Sequence, residues 1–185
     1  MAARRNRKKH TRLWLPPLAS LALAAFIQHG NQMLAGQGLS LWMHCDALFL
    51  VFPLLYLRYA HGMPQVAFTA LAIGAFSPLP YGTHLFIYAS MLVVMIPYRV
   101  RIRRENPAHV FWLAAIMEAA CFSAEWLVAT LMHGHPAVSP LSRILTDLIL
   151  SSVVCGAAAF WWMELQRRVI VMISGEDPAG YPILY

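Results

Sequence analysis

Charge is scarce in this chain of 185 residues: Asp, Glu, Lys and Arg together make up 12%, and only 8 residues are acidic. A soluble domain carries about 25% charged residues. With 59% hydrophobic residues and a mean hydropathy of +0.57, too little polar surface remains to cover a water-soluble fold. Lipid is therefore the expected solvent. Cysteine is also sparse. Cys45, Cys121 and Cys155 lie in apolar segments without C-x-x-C spacing, which excludes a disulfide framework or a cysteine zinc site and leaves them as small packing residues. No P-loop, dinucleotide fingerprint, G-x-S-x-G or H-E-x-x-H occurs.

Basic residues are more frequent, and the net charge is +6. Their placement argues against nucleic-acid binding. Six of the 14 lie in "RRNRKKHTR" near the start and four in "RVRIRR" at 99–104. Short basic clusters beside apolar runs are membrane topology signals.

The apolar runs predict an all-α integral membrane protein with six transmembrane helices, each of about 17–25 residues or somewhat fewer. They cover Leu13 to Gln28, Leu41 to Leu57, Gln65 to Leu79, Thr83 to Tyr98, Ala108 to Met132 and Pro140 to Glu164. Residues 65–98 form two spans only if "SPLPYG" turns the chain: Pro78 and Pro80 stop a helix and Gly82 permits a positive φ. Six spans with the N-terminus inside put 13 of 14 basic residues in the cytosol. Merging the third and fourth spans would put one basic cluster outside. The domains expected are a basic cytoplasmic tail 1–12, one membrane domain 13–164 and a cytoplasmic tail 165–185. The first apolar segment, with "ALAA" at 22–25, also has the form of a signal peptide.

Ionisable residues within lipid cost about 2.5–3.5 kcal/mol at a helix centre, so each must face protein, water or the interface. The candidates are His44 and Asp46, Glu118 and Glu125, and Arg143 and Asp147. Glu118 and Glu125 are seven apart and share a helical face with Cys121 and Phe122 between them. Arg143 and Asp147 stand at i, i+4 and can pair, with Glu125 near the level of Asp147. Such residues serve as packing glue, as a polar seam for a partner, or as an ion relay. His44 and Asp46, two apart on a helix, point in different directions, so no metal site is expected there. "HGH" at 133–135 lacks a third ligand at a usual spacing, and His84 belongs at the interface beside the hairpin. Small residues Ala115, Ala119 and Ser123, and Ser151, Cys155 and Ala159, allow close helix approach. No cofactor is implied.

Residues 52–91, "FPLLYLRYAHGMPQVAFTALAIGAFSPLPYGTHLFIYASM", resemble the middle of the bacterial rod shape-determining protein MreD family. Gly62 matches the family's short basic turn, Gly74 the opening of the helix motif, and "PLPYGTH" at 78–84 the hairpin. The acidic residue often found before that hairpin is absent; Ser77 or Pro78 stands near its place. The resemblance implies a non-enzymatic scaffold of the cell-elongation (rod shape, peptidoglycan synthesis) machinery in the cytoplasmic inner membrane. Its implied partner is a single-pass MreC-like protein, with the actin-like MreB filament and wall-synthesis enzymes contacted indirectly. It also implies a helical arrangement similar to the substrate-binding subunits of energy-coupling transporters, with a groove opening outward. His44, Asp46, the 78–84 hairpin (Pro78, Pro80, Gly82, His84) and Arg143 would surround that groove. The other functions considered are a small-molecule-binding transporter subunit and a membrane enzyme using Glu118 and Glu125 as acid and base.

Overall fold

The computed structural model describes residues 17–33, 43–57, 59–133 and 141–174. The basic tail 1–12, the start of the first expected span, the 41–42 start of the second, Arg58, the 134–140 part of the histidine-bearing loop and residues 175–185 lie outside these. The described residues are helical, with no strand among them. Helix α1 spans 17–33. It is followed by α2 (Ala47–Tyr56), α3 (Tyr59–Gly74), α4 (Thr83–Met95), a 3-10 turn (Ile96–Arg101), α5 (Pro107–His133) and α6 (Leu141–Ser174).

Three segments are long and apolar enough to cross a membrane: Thr83–Arg101, Pro107–Met132 and Ser142–Met172. At 26 and 31 residues, the last two exceed the roughly 20 that a bilayer core needs, and so have length to tilt. Their outer faces are apolar: Trp112, Leu131, Phe86 and Trp161 are all more than 60% exposed. Large apolar side chains exposed in this way fit lipid, not water.

The second expected crossing differs most. A helix beginning at Leu41 was expected, but α2 begins at Ala47 and has only 10 residues, a rise of about 15 Å. All ten are buried. A helix that is apolar on every side belongs in the middle of a bundle, and α2 packs against α3, α4, α5 and α6.

The third helix is also displaced. The expected span was Gln65 to Leu79, but α3 starts at Tyr59 and takes Pro64 inside it, with the ring on the exposed side. Gly62, expected in a turn, lies within α3. A Cβ there would stand 3.4 Å from the Pro53 carbonyl oxygen, an ordinary contact, so Gly62 lies where α3 packs on α2. The chain instead leaves α2 through an extended Leu57 (φ −102°, ψ 149°). The "SPLPYG" turn joins α3 to α4 as expected, and Gly82 is the described glycine with positive φ, at 94°. The Leu79 N–H donates to Ser77 Oγ (3.2 Å) and closes the turn locally.

Helix α6 runs ten residues past the expected end at Glu164. Arg167 and Arg168 lie 3.4 Å and 3.0 Å from the Glu164 carboxylate, and these i, i+3 and i, i+4 pairs favour continuing the helix out of the apolar region. Arginines also mark this end of the bundle elsewhere: the Arg104 guanidinium sits 5.3 Å from the Tyr56 ring centroid, and Arg99 is buried beside it in the chain's 3-10 turn.

The longest seam joins α5 and α6. At its tightest point a Cβ on Gly156 would meet the Phe111 ring at 2.9 Å and the Phe111 carbonyl at 3.0 Å. Gly156→Ala is expected to destabilise the detergent-solubilised protein by about 1–3 kcal/mol, read as a lower midpoint of thermal unfolding. An unchanged midpoint would mean the seam is looser than described.

Candidate polar centre at the start of the short helix

The N-terminus of α2 is inside the bundle, so its free N–H groups need partners other than water. Three neighbouring helices supply partners to it and to the non-helical residues that lead into it. From α1, Asn31 is buried and clamps Met43: its Nδ2 donates to the Met43 carbonyl (2.8 Å), and the Met43 N–H donates to its Oδ1 (3.0 Å). From α6, Ser151 Oγ accepts from the His44 N–H (3.0 Å). From α5, Glu118 Oε2 accepts from the Ala47 N–H (2.9 Å) and from Cys155 Sγ (3.3 Å).

Asp46 occupies the N-cap position but caps nothing. Its backbone is helical (φ −66°, ψ −35°) and its side chain makes no cap hydrogen bond. Aspartate is among the best N-cap residues, so its diversion needs a cause. Glu118 performs the capping, and Asp46 is turned to α4, where the Tyr88 hydroxyl donates to Asp46 Oδ1. Asp46 Oδ2 is buried without a hydrogen-bond partner.

The remaining groups converge on the same place. His84, in the first turn of α4, sets Nε2 3.1 Å from Glu125 Oε1. His44 sets Nδ1 3.7 Å from Glu125 Oε2. The His44 ring stands edge-on to Phe122 with centroids 4.9 Å apart. Ligand-capable atoms of His44, Asp46 and Glu125 all lie within 4.8 Å of one another. Burial is deep: Asp46 is 7% exposed, Glu125 8%, His84 4% and Glu118 fully buried.

Of the residues singled out from the sequence, the structure thus brings together His44, Asp46, His84, Glu118 and Glu125. Asp147 is buried and within electrostatic reach of His44. Arg143 lies 3.9 Å from Asp147 with its side chain 44% exposed, so it belongs to the rim. Pro78 and Pro80 are exposed on the turn and contribute no group to the cluster. His44 and Asp46 were expected to diverge as helical neighbours. Residues 43–45 are not helical, and both side chains reach Glu125.

Sequence reasoning missed Asn31, Tyr88 and the polar use of Ser151 and Cys155. Tyr88 carried a signal, since it is four residues after His84 and therefore on the same face. Asn31 carried none. Comparison with protein-family models, curated proteins and solved structures gives no match for this chain.

The cap can be tested directly. Glu118→Ala leaves the Ala47 N–H buried without a partner and is expected to cost about 1–3 kcal/mol. Glu118→Gln keeps an acceptor oxygen and is expected to restore more than half of that loss. Chemical unfolding in mild detergent would compare them, and equal losses would exclude the capping role.

Proposed function

We propose that the chain is a six-crossing protein of the bacterial cytoplasmic membrane, with both termini in the cytosol, that acts as a non-enzymatic scaffold of the cell-elongation machinery. In this reading it docks a single-pass MreC-like protein and, through it, meets the actin-like filament and the wall-synthesis enzymes. The observation that carries the proposal is that Asn31, Ser151 and Glu118 are committed to the backbone of residues 43–47 and Tyr88 to Asp46. Such a centre stiffens a bundle and does not line a reaction chamber. The resemblance of residues 52–91 to the MreD family points the same way, and its hairpin feature is present as a turn closed by Gly82.

The orientation follows from charge. Arg99, Arg101, Arg103, Arg104, Arg167 and Arg168 would mark the cytosolic end, with the 75–82 turn and the polar centre toward the outside. In this arrangement α2 crosses only in company, shielded from lipid by its neighbours. Phe76 and Tyr81, 77% and 70% exposed at the turn, give the outer end aromatic groups for a partner helix.

A second reading, a small-molecule-binding subunit of an energy-coupling transporter, draws on the gathering of polar side chains at one end of the bundle. It requires a metabolite that survives purification and an associated ATPase module, both visible by mass spectrometry of the extracted protein.

Co-purification at native expression level is the test of the scaffold. An MreC-like protein from the same host is expected to be recovered, and Tyr81→Ala is expected to lower its recovery about tenfold or more if the turn is part of the contact. Failure to recover any such partner would exclude the scaffold reading.

A further inference from the structure

We propose that His44, Asp46 and Glu125 form a binding site for a divalent transition-metal cation of the zinc class. This goes beyond the docking role and stands without it. One imidazole and two carboxylates are the donor set that zinc, manganese and ferrous ions accept, with a solvent molecule completing the shell. The two carboxylates also balance the charge of a divalent ion, which an apolar bundle would not otherwise hold.

The arrangement around these three residues is that of ligands held from behind. Each carboxylate has one oxygen turned to α4: the Tyr88 hydroxyl donates to Asp46 Oδ1, and His84 Nε2 lies at ion-pair distance, 3.1 Å, from Glu125 Oε1. That leaves Asp46 Oδ2 buried without a partner and Glu125 Oε2 facing His44 Nδ1 at 3.7 Å. Metal-binding carboxylates and histidines are oriented by such outer hydrogen bonds. His44 is in turn fixed through its N–H by Ser151 and through its ring by Phe122.

Two further observations point to a ligand. Asp46 gives up the N-cap it is placed to make, and a second carboxylate is used in its stead. A single buried acid would have satisfied the helix, so the second needs another purpose. The ligand-capable atoms of the three residues lie within 4.8 Å of one another, while bonds of about 2.1 Å to a tetrahedral ion bring ligand atoms to about 3.4 Å apart. A contraction of about an ångström closes the site. The His44 side chain is 28% exposed and provides the way in.

The test uses the full chain in detergent micelles, carrying an affinity tag without histidines, stripped with a chelator and titrated with cobalt(II). About one equivalent of cobalt is expected to bind with ligand-field absorption bands, without sulfur-to-metal charge transfer, and to be displaced by zinc. Asp46→Asn and His44→Gln are expected to weaken binding at least about tenfold, and Tyr88→Phe about tenfold through loss of the outer hydrogen bond. Glu164→Gln, at the arginine-rich end, is expected to leave it unchanged. Because His44 is partly exposed, His44→Gln remains informative where Asp46→Asn fails to fold. Absence of stoichiometric cobalt binding by the folded wild type, or wild-type affinity in His44→Gln, would overturn the proposal. A cobalt–thiolate band would overturn the ligand set.

Discussion

A ten-residue helix that starts inside a membrane bundle leaves backbone N–H groups with no water to meet. Each unsatisfied one costs several kcal/mol in hydrocarbon. Glu118 of α5 takes the first of these, the Ala47 N–H, while Asn31 of α1 and Ser151 of α6 take the Met43 and His44 N–H groups of the non-helical residues that lead into α2. The Leu48 and Phe49 N–H groups turn back to the Cys45 and Asp46 carbonyls at 3.3 Å and 3.1 Å. These contacts fix how α1, α5 and α6 sit around α2. The burial of Glu118 therefore follows from a problem of backbone chemistry.

Once Glu118 serves as the cap, Asp46 is available for something else, and α4 holds it there through Tyr88. Glu125 is two turns along α5 from Glu118, so the same face that caps α2 also carries the second acid to His44 and His84. Burial of several acids with two imidazoles has few stable outcomes: shared protons, ion pairs or a bound cation. The scaffold and metal readings are compatible, since a cation at this point would brace the end of the bundle where the turn presents Phe76 and Tyr81.

Much of this was legible in the sequence. Scarce charge and long apolar runs pointed to lipid as solvent, and the three helices long and apolar enough to cross a membrane fall on three of those runs. The Pro78–Gly82 turn was readable because proline and glycine act through local backbone chemistry. The seven-residue spacing of Glu118 and Glu125 placed both on one face. The extent of α2 was not readable. Residues 41–57 are apolar apart from His44 and Asp46, and hydropathy does not record where helix gives way to extended chain. The non-helical stretch at 43–45 is held by Asn31 and Ser151, which are distant in sequence. For the same reason His44 and Asp46 could not be seen to converge. Gly62 reads as a turn residue by type, yet it lies inside α3 facing the Pro53 carbonyl of α2.

Hydrogen–deuterium exchange of the chain in lipid nanodiscs, followed through the peptide covering residues 43–57, tests the central claim most directly. If the start of α2 is buried and satisfied by side chains, its amides remain protected as long as those in the middle of α5, and they lose protection selectively when Asn31 is replaced by alanine. Rapid exchange of the 43–57 amides in the wild type, comparable with that of the 75–82 turn, would contradict the account.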